Sequence, residues 1–506
     1  MSNVYPAPVI RHRRVKKTST AEINARNRYA VLCLIINFGV LALCAKMGAL
    51  RLPDLVVTIP TLLGAFTLAM RDSKRLGTYV ICVWMLSRFV RRLIDWQLGG
   101  FESLTVLSLL PMMTSLTLII PTIPRLHRLP NRVAQALLLL IAPTMVGAII
   151  GVVSYGSAAI VDTGGWLLPL LFVPYFAVKP TPLADRLATL HDVVALAAVV
   201  AAYGWFQFVF LPPWDAMWLR ESGMTSSMGL AETMSVRVWG TLSSTGPAAA
   251  FWAAALGLLL CGVRPAPARG VVHCLLIGSA LLLSRVRVCW LSPLVGLITY
   301  GVLRGKRGVG EAMGIGVLIT VVVGVATMLP GGDLVSERLQ SFCNLDRDNS
   351  LRARLRIASD LMESIAEHPF GQGIGYTSAN KLNGGGGKVT GLDNGIGAVI
   401  YSLGLPGAML WFVGLASLVA AMRAKVKQST GACRRIAVAS LVQLSMSFAS
   451  LASAFFLAGE MGIVTWLTAG LALAPTSETG AKPITANGPA SLAFTTGDRP
   501  HGPELA

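Results

Sequence analysis

The chain has 506 residues, of which 54% are hydrophobic and only 13% charged, and its mean hydropathy is +0.64. A soluble domain carries about a quarter charged residues, so this composition excludes a disordered chain and argues against an ordinary soluble enzyme. The net charge of +19 does not by itself imply nucleic acid, because a membrane protein gathers Lys and Arg on its cytoplasmic loops. Eight cysteines show no CxxC spacing, and six of them (Cys33, Cys44, Cys82, Cys261, Cys274, Cys289) lie in apolar runs. That pattern fits small residues buried in helices rather than a disulfide framework or a zinc site.

A helix that crosses a bilayer needs about 20 mainly apolar residues, since every backbone polar group must be satisfied within the segment. Such runs recur at about 29–49, 54–70, 76–90, 103–122, 133–155, 164–178, 189–211, 246–263, 271–284, 288–303, 311–330, 395–421, 436–456 and 459–475. They predict an all-α polytopic membrane protein of about 12–14 transmembrane helices over residues 29–475, the 164–178 and 459–475 runs being short. Residues 1–28 read as a basic cytoplasmic tail and residues 476–506 as a polar C-terminal tail. No signal-peptide cleavage pattern follows the basic start, so the first helix is expected to be retained.

The charges set an orientation. Arg11, Arg13, Arg14, Lys16, Lys17, Arg26 and Arg28 precede the first run, which places the N-terminus in the cytoplasm. Alternate connections are then basic: Arg71/Lys74/Arg75, Arg125/Arg128/Arg132, Arg264/Arg269, Arg304/Lys306/Arg307 and Arg423/Lys425/Lys427/Arg434/Arg435. Two long segments remain for the outer face, 212–246 and 331–393. Both hold arginines where the positive-inside bias disfavours them: Arg220 and Arg237 in the first, Arg338, Arg347, Arg352, Arg354 and Arg356 in the second. Arg285 and Arg287 stand at a short outer turn. Solvation, or snorkelling to lipid phosphates, is the plain explanation for any one of them.

As a group they have a sharper reading. Guanidinium groups at one membrane face bind phosphate bidentately, and a pyrophosphate leaving group would be stabilised there as its charge develops. Asp346 and Asp348 form a DRD triplet in a charged loop, which reads as solvated rather than as a metal site, so a metal-independent mechanism with no cofactor is expected.

The 331–393 segment has internal order. Ser350–Glu367 places Leu351, Leu355, Ala358, Leu361, Met362 and Ile365 at spacings of three and four, the pattern of an amphipathic helix that can lie on a membrane surface. His368–Pro369 ends it. GQGIGYT at 371–377 then turns sharply, a tight turn being the plain reading and a phosphate loop the sharper one, since no strand precedes it. Gly384–Gly387 is a flexible stretch. Asp393–Asn394 stands at the mouth of the next helix, as an N-cap or, for Asp393, as a group that orients or deprotonates a sugar hydroxyl.

In this order the pieces resemble the O-antigen ligase and O-antigen or exopolysaccharide polymerase family of bacterial multi-pass membrane proteins, over roughly residues 190–420. Tyr203–Gly204 with Gln207 is similar to the helix before the family's first outer loop. Arg237-Val238-Trp239-Gly240-Thr241 followed by Pro247 resembles its RxxGT element, and Ser284–Arg285 its SR element. Arg354, fourteen residues before His368-Pro369-Phe370-Gly371-Gln372-Gly373, resembles the arginine, amphipathic helix and HPxGxG order. Asp393–Asn394 and then Gly404-Leu405-Pro406-Gly407 stand where the family has a polar pair and a GxxG.

The resemblance implies a GT-C-like helical fold in the bacterial cytoplasmic (inner) membrane, with a long outer loop over a cavity. It implies transfer of a glycan from an undecaprenyl-pyrophosphate carrier, with membrane lipids and chain-length and export proteins as partners and no nucleic acid. By carry-over Arg237, Arg285, Arg354 and Asp393 are the catalytic candidates, and Arg287, Arg352, His368, Gly371, Gly373 and Asn394 are the substrate-binding ones. Ligases of the family carry a histidine where Asp393 stands, which tilts the reading to a polymerase; Ala358 also replaces a tryptophan of the amphipathic helix. A ligase is the first alternative. A lipid-linked sugar transporter is the second, although transporters place charges near the membrane midplane, whereas here they gather at the boundary, with Arg88 and Glu460 near helix ends.

Overall fold

The computed structural model describes residues 20–263, 267–305, 308–310, 313, 363, 366–382 and 394–475. Among the described residues all regular structure is helical. The helices are α1 (Thr20–Lys46), α2 (Leu52–Met70), α3 (Leu76–Leu98), α4 (Val106–Leu116), α5 (Ile119–Thr122), α6 (Asn131–Tyr155), α7 (Ser157–Leu167), α8 (Phe172–Ala177), α9 (Leu183–Phe210) and α10 (Pro213–Glu221). They continue as α11 (Thr225–Met228), α12 (Thr245–Leu260), α13 (Pro267–Ser284), α14 (Arg287–Arg304), α15 (Tyr376–Leu382), α16 (Gly395–Gln428), α17 (Gly431–Ser450) and α18 (Gly459–Leu473). Among the described residues seven helical stretches are long and apolar enough to cross a bilayer, and shorter apolar helices accompany them. The protein is therefore an all-α polytopic membrane protein.

The apolar runs become helices because a helix alone satisfies its backbone within one segment in lipid. Interior prolines such as Pro60, Pro111, Pro143, Pro293 and Pro406 each remove one backbone bond, and membrane helices tolerate this where neighbouring groups re-satisfy the freed backbone. Several runs differ in extent from their sequence expectation. The first helix begins at Thr20, inside the stretch read as a tail. The 164–178 run is the end of a longer, broken stretch, α7 and α8 joined by a 3₁₀ turn at Pro169–Leu171. The 436–456 run ends its helix at Ser450, and the 311–330 run, Met313 apart, lies outside the described residues.

The largest difference is α3. It does not stop near residue 90 but runs to Leu98, where Gly99 closes it in a left-handed conformation (φ 73°). Arg88, Arg91, Arg92 and Asp95 thus stand inside a helix of the bundle, and the last three are buried. The expectation that charge stays at helix boundaries is corrected here. A buried charge needs a partner, and each of these has one: Arg88 pairs with Glu460 at 2.9 Å, Arg91 with Asp95 at 3.3 Å and Arg92 with Asp215 at 2.8 Å.

The connections sort into two ends. At one, Arg125 and Lys179 reach the Asp72 carboxylate at 2.7 and 3.0 Å, Lys74 meets Asp185 at 2.8 Å, and Arg128 meets Glu22 at 2.6 Å. The 71–75 and 125–132 basic clusters, expected on one side, do meet there. Burial pushes the Asp72 carboxyl up, but the Arg125 hydrogen bond and the Lys179 charge outweigh it and hold the group below the usual carboxylate range. At the other end Arg51 bridges Asp54 and Asp95 at 3.0 and 2.7 Å. Between the ends lies an apolar core that includes Trp84, Trp239, Trp252, Phe172 and Phe251, all fully buried.

Candidate functional site

After α11 the chain runs from Gly229 to Ser244 without a helix, carrying Arg237-Val238-Trp239-Gly240-Thr241. Its apolar side chains Val236, Val238, Trp239 and Leu242 are fully buried, which draws the segment down into the bundle. Several neighbouring elements then bond to it. The Met234 amide donates to the Phe208 carbonyl at 2.8 Å, the Arg237 amide to that of Met228 at 2.8 Å, and the Val238 amide to that of Leu283 at 3.3 Å. From the turn after α13, Arg285 Nη2 donates to the Ser235 carbonyl at 3.0 Å.

The remaining bonds come from inside the bundle. Gln207 on α9 accepts from the Trp239 and Gly240 amides at 3.0 and 3.1 Å, while its Nε2 donates to Asp215 at 2.8 Å. Arg92 on α3 donates to the carbonyls of Leu242 and Gly240 at 2.7 and 2.6 Å and pairs with Asp215. Its guanidinium lies against Phe89, Trp218 and Trp239, 5.7–5.9 Å from the ring centres. Asp215 also accepts from the Tyr203 hydroxyl at 2.7 Å. Thr241 Oγ1 donates to the Met85 carbonyl at 2.7 Å, and Ser243 donates to Glu460, which holds Arg88 with its other oxygen. Gly240 is required at its position: φ is +58° and an added Cβ would lie 3.0 Å from the Val200 carbonyl oxygen.

Arg237 and Arg285 therefore sit on two strands of chain that are bonded to each other. Both side chains are half-buried. Arg285 has φ 55°, a left-handed conformation that costs a non-glycine residue roughly 1–2 kcal/mol. Such strain persists where surrounding bonds over-determine it; here the Arg285 amide donates to Leu282 at 3.1 Å and its side chain to Ser235. Arg287 opens α14 two residues later.

The second cluster forms around residues 368–378. The Gly371 amide closes a turn on the His368 carbonyl at 2.9 Å, and the Leu405 amide bonds to that of Pro369 at 3.0 Å. The Gln372 amide then donates to Tyr401 and the Ile374 amide to Gly147, each at 2.8 Å. Ile374 is fully buried in a slot walled by Gly147 and Gly151 of α6, four residues apart and so on one face. Gly371 and Gly373 have φ of +87° and +89°, and a Cβ on them would stand 2.3 Å from Gly404 N and 2.4 Å from Gly151 N. The space beside both glycines is filled by the protein's own backbone, so the tight-turn reading describes them and an open phosphate loop does not. Gly404 marks a break in α16 (φ 70°, ψ 173°) that admits the turn. Asp162 of α7 seats the start of α15, accepting from the Ser378 amide at 3.1 Å and its hydroxyl at 2.5 Å.

The other expected residues fall as follows. His368 is exposed at the rim of this turn. Asn394 caps α16, its Oδ1 accepting from the Ile396 and Gly397 amides at 3.1 Å each. Arg352, Arg354 and Asp393 lie outside the described residues, as does most of the 350–367 helix expectation. Sequence reading passed over Arg92, Asp215 and the Arg88–Glu460 pair as parts of one framework. The available signal was Arg91-Arg92 directly after an apolar run, because intramembrane charge marks function by default.

Fold and site together define a multi-pass helical membrane protein with an arginine-bearing connection fixed at one end of its bundle. Residues 272–412, from α13 to the middle of α16, match the family model described as O-Antigen ligase. The match, over less than a third of the chain, supports a likeness of this stretch to the O-antigen ligase and polymerase family. No curated protein matches the chain.

Proposed function

We propose that the protein is a polysaccharide polymerase of the bacterial cytoplasmic membrane. It would transfer lipid-pyrophosphate-linked oligosaccharide repeat units to a growing glycan at the outer face. The observation that carries this reading is the junction of the Arg237 segment with the Arg285 turn, through Val238–Leu283 and Arg285–Ser235. It brings together two guanidinium-bearing stretches, one of them inside the matched family region.

In the reaction an acceptor hydroxyl oxygen attacks the anomeric carbon of the donor sugar. The bond from that carbon to the pyrophosphate oxygen breaks, and the carrier leaves as a pyrophosphate bearing the electron pair. Arg237, Arg285 and Arg354 neutralise that growing charge, which makes a metal ion unnecessary in this scheme and an undecaprenyl-pyrophosphate carrier a fitting donor. Asp393 takes the hydroxyl proton. Arg287, Arg352, His368 and Asn394 contact the substrate around this centre, and Gly371 and Gly373 serve by seating the turn that carries His368.

A ligase is the second reading, favoured by the description of the matched family model; aspartate in place of histidine at residue 393 argues for the first. Purified protein incubated with lipid-pyrophosphate-linked repeat units distinguishes them. A ladder of products in EDTA, lowered about 10²–10³-fold by Arg237→Ala or Arg285→Ala as for loss of one oxyanion donor, is the expected outcome. A single shift onto another acceptor means ligase, and no new bond means transport. Activity that EDTA abolishes and magnesium restores overturns the metal-independent scheme.

A further inference from the structure

One helix length away from Arg287, about 26 Å along α14, a cavity of about 360 Å³ opens at the opposite end of the bundle. Cys261 and Val438 form its apolar floor, and Tyr300, Arg304, Arg434 and Arg435 its polar wall. The volume exceeds many times the roughly 30 Å³ share of one water molecule. Arg304 lies over the Tyr300 ring at 5.3 Å and donates to its hydroxyl, and Arg434 Nη2 donates to the Leu303 carbonyl at 3.3 Å. These bonds hold two of the three guanidinium groups at the cavity.

Two further features share their sign. The first turn of α17, Gly431 and Ala432, also lines the cavity, and its Thr430 cap makes no side-chain bond to the turn. Helix amides without an intrahelical acceptor favour an anion. In addition, the stretches 233–310 and 394–459, which supply every wall of the cavity, contain no Asp or Glu at all. Three guanidinium groups and a helix N-terminus thus converge on one space with no carboxylate on the elements that form it.

We propose that this cavity binds a phosphate-bearing anion, through Arg304, Arg434 and Arg435, apart from the glycan-transfer site. Basic pockets between helices are where membrane proteins take phospholipid headgroups, and a soluble phosphate compound presents the same chemistry. The site is independent of the polymerase reading.

The test is native mass spectrometry of the purified full chain with equal phosphatidylglycerol and phosphatidylcholine, beside a thermal-shift titration with inorganic pyrophosphate. Arg434→Gln/Arg435→Gln is compared with Arg423→Gln/Lys427→Gln, which removes equal charge from exposed positions on the preceding helix. Arg304→Gln, from a different helix, repeats the test if the first pair folds poorly. Retention of phosphatidylglycerol at least tenfold over phosphatidylcholine, lost in the cavity variants and kept in the control, supports a lipid headgroup. A pyrophosphate-induced rise in melting temperature with the same variant dependence, and no selective lipid, supports a soluble ligand. Neither response, or equal loss in the Arg423/Lys427 control, overturns the proposal.

Discussion

Arg92 carries five nitrogen–hydrogen donors on a planar group, and each of its three nitrogens faces an acceptor in the protein. Two nitrogens hold the Leu242 and Gly240 carbonyls while Nε faces Asp215. Lysine at this position would keep a charge for Asp215 but lose the fork. Bonds to a charged group contribute about 1.5–3 kcal/mol each, and part of that loss would appear as misplacement of Arg237. Arg92→Lys should therefore lower polymer formation at least tenfold, about 1.4 kcal/mol, with protein level in the membrane unchanged. A wild-type rate measured on purified Arg92→Lys would show that the framework does not govern the site. The RxxGT element itself was legible because its residues are contiguous. Its partners were not, since Arg92 and Leu242 are 150 residues apart and only the fold makes them neighbours.

Among the elements, the 368–378 turn illustrates how a motif can be read correctly as shape and left open as chemistry. Three glycines in five residues signalled a sharp turn. What the turn fits into, the Gly147–Gly151 slot and the break at Gly404, depends on the packing of α6 against α16. Gly373→Ala would force a left-handed alanine, at about 1–2 kcal/mol, into contact with Gly151 N at 2.4 Å. Its melting temperature should drop by several degrees with loss of activity, whereas Gly100→Ala, where a Cβ meets open space, should change neither. Equal melting curves for the two variants would mean that the turn is not seated as described. The length of α3 escaped sequence reading for a related reason. Hydropathy ends at the arginines, but the helix continues because Asp95, Asp215 and Glu460 neutralise them within the bundle.

For the whole molecule, the alternation of basic connections proposes a sidedness that the ion pairs among Asp72, Arg125, Lys179, Lys74 and Asp185 accompany at one end. With cysteines placed singly in a background lacking the native ones, Glu232→Cys should react with an impermeant maleimide on intact cells. Arg71→Cys should react only after the membrane is opened. The reverse pattern would put the arginine site on the cytoplasmic side and remove the outward-facing transfer scheme. Composition and hydropathy alone determined that this is a helical membrane protein, because the cost of bare backbone in lipid leaves a long apolar run no other structure. Local spacing likewise marked the 371–377 turn, and the charge map nominated the candidate arginines. The tertiary structure decided which charges pair inside the bundle, how far α3 extends and what holds Arg237 beside the Arg285 turn. Those facts depend on contacts between residues distant in the chain, and a buried charge is tolerated only where such a contact exists.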